Sequence, residues 1–269
     1  MNRNNSWKAL TIKGDKGNRE IATSFIEKKS SGILCSDKST TIYFKNINQE
    51  EIENTIKLRS NINIFKWSIV KKEDWSTNWK PFFKKKCINN KVEIIPPWEK
   101  TDLDSNKIVI KIDPGMAFGT GHHETTEMMI KAMLEFYRNN MSVLDLGTGS
   151  GILSILAYKL KSKKILAVDN DSEIKNNFNK NMKLNNSEAE LKIRNCIGMK
   201  EFNFDLVLAN INKLVLTKFL PTIKKSNSII ILSGFLKNDF EDIFKIVNQI
   251  GCRIIKKYNK KEWLCLVIK

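Results

Sequence analysis

The sequence predicts an α/β protein: a doubly wound, mostly parallel sheet preceded by a small α+β unit. Three observations predict it. From residue 113 onward, short apolar strands alternate with helical stretches, the pattern that crossover connections leave. One of those strands, Ser142–Asp145, runs into Gly147-Thr148-Gly149-Ser150-Gly151 and then into a helix beginning near Ser150. Residues 7–72 show a different order: strand, helix, strand, strand, helix, strand.

Along the chain, Ala9–Ile12 is strand-like, and Glu20–Lys29 is helical with Ile21, Ala22, Phe25 and Ile26 on one face. Gly32–Cys35 and Thr40–Phe44 read as two strands joined by the polar turn Ser36–Ser39. Glu50–Leu58 is helical, with Ile52, Thr55 and Ile56 spaced for one face, and Phe65–Val70 alternates as a strand. This β-α-β-β-α-β order is ferredoxin-like, an arrangement that hosts many functions. Asp74–Phe83 predicts a short connecting helix with an apolar stripe of Trp75, Trp79, Phe82 and Phe83. Val92–Trp98 is a strand halted by Pro96 and Pro97, and Ile108–Ile112 is another. The expected division is an N-terminal unit over 1–72, a connector over 73–90 and a main domain over 91–269. Main-domain strands are predicted at 142–145, 165–169, 191–194, 206–210, 229–232, 254–255 and 263–268. Asn259-Lys260-Lys261 leaves no room for a crossover helix, so the last two strands must form a hairpin.

At 269 residues the chain has room for about two domains. Its 41% hydrophobic content excludes a disordered or fibrous chain, and no apolar run reaches the length of a membrane span. The first seven residues lack an apolar h-region, so an export signal is not expected. Five cysteines, scattered and never in a C-x-x-C pair, argue against a disulfide framework and fit a reducing cytosol. The net charge of +17 first suggests nucleic acid. Only six of the 46 basic residues are Arg, however, and Asn numbers 30, so the whole composition leans towards Lys, Asn and Ile. The excess is spread along the chain, Lys84-Lys85-Lys86 apart, and reads as solvated lysine.

The residues that carry chemistry fall in three segments. In the first, a dinucleotide fingerprint would need glycine at 152, where the sequence has Ile152. What is present is G-x-G-x-G after Asp145, and Asp169 ends the next strand, where a carboxylate accepts both hydroxyls of a ribose. The second segment runs from Asp113 to Thr126 and holds the two histidines, His122 and His123. Adjacent residues in an extended loop point apart and no cysteine is near, so no metal site is expected. A general-base role for either histidine has no support in the sequence. Thr125 and Thr126 read as the cap of a helix over Glu127–Tyr137. In the third segment, Asp205–Asn212, an apolar strand delivers Asn210 to its carboxyl end beside the glycine loop. An amide there orients a ligand or an incoming amine. Asn210-Ile211-Asn212-Lys213 lacks the prolines and aromatic residue of an N-P-P-Y clamp, so a flat base or amide substrate is disfavoured.

The G-x-G-x-G loop resembles the nucleoside-binding loop of S-adenosylmethionine (SAM) enzymes. A mostly parallel sheet ending in an antiparallel hairpin is typical of class I methyltransferases, with their Rossmann-like doubly wound sheet. The run Asp113-Pro-Gly-Met-Ala-Phe-Gly-Thr-Gly-x-His123-x-Thr-Thr126, followed by that loop and by Ala209-Asn210-Ile211, closely resembles the ribosomal protein L-eleven methyltransferases. Glu73-Asp74-Trp75, Trp79, Phe83, Ile95-Pro96-Pro97-Trp98-Glu99, Leu232-Ser233-Gly234 and Lys261-Glu262-Trp263 extend the resemblance over about residues 65–269. It implies S-adenosyl-L-methionine as cofactor, with contacts at Thr126, Gly147, Asp169 and Asn210, and Asn210 orienting the amine or the cofactor. It implies ribosomal protein L-eleven as the protein substrate, methylated on its N-terminal α-amine and lysine ε-amines, with the N-terminal unit holding it. A monomeric cytoplasmic enzyme with no metal, no membrane and no direct nucleic-acid binding is expected. His122 stands where the family usually has Thr, and Glu124 where it usually has Pro; Thr126 is intact. The rival reading is an RNA methyltransferase whose first domain binds RNA. The ferredoxin-like order and the positive charge favour it, but that unit shows no aromatic RNP-like strand motif. A non-catalytic SAM-binding module is opposed by the intact loops.

Overall fold

The computed structural model describes residues 6–26, 29–35, 38–45, 47–62, 65–71, 84–100, 106–113, 121–197, 199, 203–223 and 228–269. They belong to two units, 1–83 and 84–269. The first contains β1 (Ser6–Lys13), α1 (Lys16–Ile26), β2 (Gly32–Cys35), β3 (Ser39–Phe44), α2 (Gln49–Arg59) and β4 (Phe65–Lys71). Its antiparallel sheet has the order β2-β3-β1-β4, the ferredoxin-like arrangement. Leu10 on central β1 sits opposite Ile42 on one side and Trp67 on the other. Alternate strand residues Leu10, Ile12, Ile42 and Phe44 form one cluster with Ala22 and Ile26 of α1 and Ile52 and Ile56 of α2. Helix α1 starts earlier than its apolar face suggests, because the Asp15 carboxylate accepts the Asn18 N–H at 2.9 Å and caps it. The connecting helix expected over Asp74–Phe83 lies outside the described residues.

The second unit opens with β5 (Lys86–Ile88), β6 (Val92–Ile95) and β7 (Ile108–Lys111), a small sheet in that order. Residues 84–90, expected as connector, therefore belong to this unit. Asn89 and Asn90, at φ +48° and +52°, fold Cys87 back against Glu93 in a tight hairpin. Three residues among lysines carry too little periodicity to be read as a strand.

The main sheet contains β8 (Ser142–Leu146), β9 (Lys164–Asp169), β10 (Glu190–Ile193), β11 (Leu206–Asn210), β12 (Ile229–Leu236), β13 (Ile254–Lys260) and β14 (Trp263–Ile268). Its order is β10-β9-β8-β11-β12-β14-β13, and only β14 runs against its neighbours. Alternating side chains sort to the two faces. Val143, Ile165, Ala167, Leu206 and Leu208 join α3 (Glu124–Phe136), α4 (Ile152–Lys159) and α5 (Lys175–Leu184). Leu144, Leu146, Leu166, Val168, Val207 and Ala209 join α6 (Lys213–Phe219) and α7 (Phe240–Gln249). Helices on both faces of a mostly parallel sheet make it doubly wound. The hairpin required by the short final connection is present. Its first strand runs on from Ile255 to Lys260, because an edge strand tolerates Lys256, Lys257 and Lys260 at its margin. Among the described residues, no helix is long and apolar enough to cross a membrane.

Candidate active site

Central β8 has β9 on one side and β11 on the other, so the connections leave it in opposite directions and open a crevice at the strands' carboxyl ends. Gly147, Asp169 and Asn210 stand at those ends. Gly147 has φ +66°, and a Cβ there would lie 2.2 Å from Ile211 Cγ2, so only glycine lets the loop pass. Its N–H and that of Thr148 donate to Val168 O at 2.8 and 3.1 Å. Asp169 Oδ2 accepts the Gly149 N–H at 2.9 Å, and Oδ1 accepts the Asp171 N–H at 3.0 Å. Two backbone donors thus aim the carboxylate, and both oxygens keep capacity for further hydrogen bonds. Behind the loop, buried Asp145 accepts the hydroxyls of Thr148 and Ser154 through Oδ2, each at 2.7 Å. Burial pushes its carboxyl up while those hydroxyls pull it down, the balance lying above the ordinary carboxylate range. Asp145 is thus a fastener of the turn, a role that its place at a strand end did not reveal.

Helix α3 begins at Glu124, and its cap is His123 rather than Thr125 or Thr126. The His123 Nδ1 accepts the Thr125 N–H at 3.3 Å and lies 2.8 Å from the Thr125 hydroxyl. The same ring meets Trp263 edge-on at 4.8 Å. His122 Nε2 lies 2.7 Å from Lys84 O, and the Lys86 ammonium donates to His122 O at 3.1 Å. Both histidines hold structure. Thr125 and Thr126 are buried in the first turn of the helix. Residues 114–120 of the segment lie outside those described.

Thr126 and Asn210, far apart in the chain, meet here: the Asn210 Nδ2 donates to Thr126 Oγ1 at 3.4 Å. The other end of that amide, Asn210 Oδ1, is buried and has no hydrogen-bond partner among the described residues. An orphaned buried acceptor costs about 1–3 kcal/mol, so a ligand donor fits at Asn210 Oδ1. A nucleoside loop, a ribose-ready carboxylate and an orphaned amide oxygen together fit SAM.

The start of α3 is fastened by residues that sequence reasoning left without a role. Glu127 is 5% exposed and pairs with Lys131 at 2.8 Å, Lys86 at 2.9 Å and Lys260 at 2.5 Å. Burial pushes its carboxyl up, but the three ammonium groups outweigh that and hold it down to about 2. Lys261 pairs with Glu124 at 2.5 Å. With Trp263 on His123, these contacts give Lys261 and Trp263 of the Lys261-Glu262-Trp263 motif a place: the terminal hairpin clamps the turn that carries Thr126. Past Asn210, Asn212 caps α6 through the Val215 N–H at 3.0 Å. Lys213 is held by Asp239 at 2.8 Å and Asp242 at 2.7 Å.

Residues 6–269 match the family model described as ribosomal protein L11 methyltransferase (PrmA). The chain is similar to the ribosomal protein L11 methyltransferase of Prochlorococcus marinus (strain MIT 9515), 33% identical over 254 residues, covering 86% of this chain and 84% of that protein. It is 34% identical over 239 residues to the one of Dictyoglomus thermophilum, covering 84% and 79%. The crystal structure of ribosomal protein L11 methylase from Lactobacillus delbrueckii subsp. bulgaricus matches with a TM-score of 0.62 at 29% identity, covering 68% of this chain and 97% of that one. Sequence, fold and crevice agree, and the chain belongs to the ribosomal protein L11 methyltransferase (PrmA) family.

Proposed function

We propose that the protein is a SAM-dependent N-methyltransferase that modifies the N-terminal α-amine and lysine ε-amines of ribosomal protein L11. The observation that carries this reading is the buried Asn210 Oδ1 at the carboxyl edge of the sheet, on an amide in contact with Thr126 and with no donor among the described residues. SAM, when bound, supplies a methyl group on a cationic sulfonium. Asp169 accepts from ribose hydroxyls, and the Gly147 turn lets the backbone approach the nucleoside. Asn210 accepts an N–H of the incoming amine or of the cofactor's amino group.

Only a neutral amine attacks. An α-amine is partly neutral near pH 8, whereas a lysine costs about 4.6 kcal/mol to deprotonate at pH 7. A neighbouring positive charge and a partly dry pocket both disfavour ammonium, which lowers that cost. The chain then needs to hold the amine in line rather than supply a strong base. The structural engagement of both histidines supports a mechanism without them. We assign capture of the protein substrate to the N-terminal unit, 1–72. Ile21 and Phe25, one helical turn apart on α1 and 48% and 45% exposed, support a partner-binding surface there. The reaction takes place in the cytosol on a monomeric enzyme. Free Cys87, Cys196, Cys252 and Cys265 among the described residues support a reducing compartment.

The test is the intact mass of purified L11 after incubation with the enzyme and SAM. Gains in steps of one methyl, mapped by digestion to the N-terminus and lysines, are the expected result. No gain alongside normal SAM binding rejects the target. In the same assay Asn210→Ala slows methylation about tenfold or more and Thr125→Ala less than about threefold. Equal rates for the two variants would remove the role given to Asn210.

A further inference from the structure

The abundance of asparagine looks compositional, yet three asparagines form one device. Helix α5 carries Asn177 and Asn181 and ends in the C-cap residue Asn185, the three spaced four residues apart. They meet the outer edge of β7 and the residues that follow it. Along such an edge, alternate residues bond inward and the others turn their N–H and C=O outward. Ile112 bonds inward, its N–H donating to Ile95 O at 2.9 Å. Lys111 and Asp113 turn outward, and the amides complete them. The Lys111 N–H donates to Asn185 Oδ1 at 2.8 Å, and Asn185 Nδ2 donates to Lys111 O at 2.6 Å. The Asp113 N–H donates to Asn181 Oδ1 at 2.8 Å, while Asn181 Nδ2 and Asn177 Nδ2 donate to Asp113 O at 3.3 and 2.9 Å.

Asn181 does one thing more. Its Nδ2 also donates to Ser150 O at 2.9 Å, inside the Gly147–Gly151 loop. The side chain is fully buried. The next loop residue sits hard against the same helix: a Cβ on Gly151 would lie 2.9 Å from both Phe178 Cδ2 and Met182 Cε. One amide therefore joins the first residue of the 113–126 segment, which ends at Thr126, to the loop that faces the nucleoside.

We propose that Asn181 is a positioning residue for methyl-donor binding, setting the glycine loop against the segment that carries Thr126. The proposal rests on the SAM reading above. Asn185 supplies the control: it caps the same helix, makes with Lys111 the pair of backbone bonds that Asn181 makes with Asp113, and makes none to the loop among the described residues. Asn181→Asp and Asn185→Asp each keep the acceptor oxygen and remove the amide donor. Thermal midpoints without ligand and calorimetric affinity for S-adenosylhomocysteine are measured for both. The expected result is comparable loss of thermal midpoint, with affinity weakened about tenfold or more in Asn181→Asp and less than about threefold in Asn185→Asp. Equal affinities at matched thermal midpoint overturn the proposal. If Asn181→Asp does not fold, the milder Asn181→Ser is read in the same way. An unmodified protein that fails to bind S-adenosylhomocysteine overturns the cofactor reading and this proposal together. Normal binding in the unmodified protein and in the Asn181 variant overturns this proposal alone.

Discussion

The two units use their buried groups differently. In the first, the interior is an apolar cluster of Leu, Ile, Ala and Phe, and a single buried ionic side chain among the described residues, Arg19, joins it, donating to Thr40 Oγ1 at 3.1 Å and to Gly14 O at 3.1 Å. In the second, the crevice is built from buried polar groups: Asp145 holds the nearby Thr148 and Ser154 hydroxyls, while Asp169, Thr126, Asn181 and Glu127 are each tied to a distant part of the chain. The first unit needs residues of the right kind at the right spacing. The second needs particular residues, because an amide or carboxylate with fixed partners has no near substitute. Stability should therefore follow pattern in one unit, and ligand binding should follow residue identity in the other.

The largest effect expected is on stability. Ile52→Ala opens a cavity in the first unit and lowers its unfolding free energy by about 3 kcal/mol in urea titrations. Affinity for S-adenosylhomocysteine should stay within about twofold; a larger loss would show that the two units are energetically coupled. The converse substitution is Asp169→Ala. It should weaken S-adenosylhomocysteine binding about 100-fold by calorimetry, the scale of a lost charge-assisted pair of hydrogen bonds. Unchanged affinity would refute the ribose assignment. The smallest effect is a pH slope. Glu127 is held down to about 2, so its contribution is complete above its unfolded value near pH 4.3 and is lost as pH falls towards about 2. The thermal midpoint should fall more steeply over that window in the unmodified protein than in Glu127→Gln, and parallel slopes would show that the three lysines do not stabilise the carboxylate.

What could be read in advance follows the same division. Strand ends open on the crevice of a doubly wound sheet, so the placement of Gly147, Asp169 and Asn210 there was legible from the strand pattern alone. The element order of the first unit was legible because its apolar residues alternate cleanly between period two and period 3.6. The cap at His123 was not, because imidazole is a rarer cap than the threonines beside it. Strand β5 was too short and too lysine-rich, and the lysines of β13 disguised an edge strand as a turn. The asparagine ladder was hidden for another reason: its partners are backbone groups far away in the chain, which no local spacing encodes.

The ladder on α5 has a consequence beyond the crevice. An amide side chain is a portable peptide group. A helix with asparagine at every fourth position can thus offer a strand what a neighbouring strand would offer. The free edge of the small sheet is finished from within, at Lys111 and Asp113, and presents there no row of unsatisfied groups to another chain. In a lysine- and asparagine-rich protein, residues that look like drift in composition also close a sheet edge.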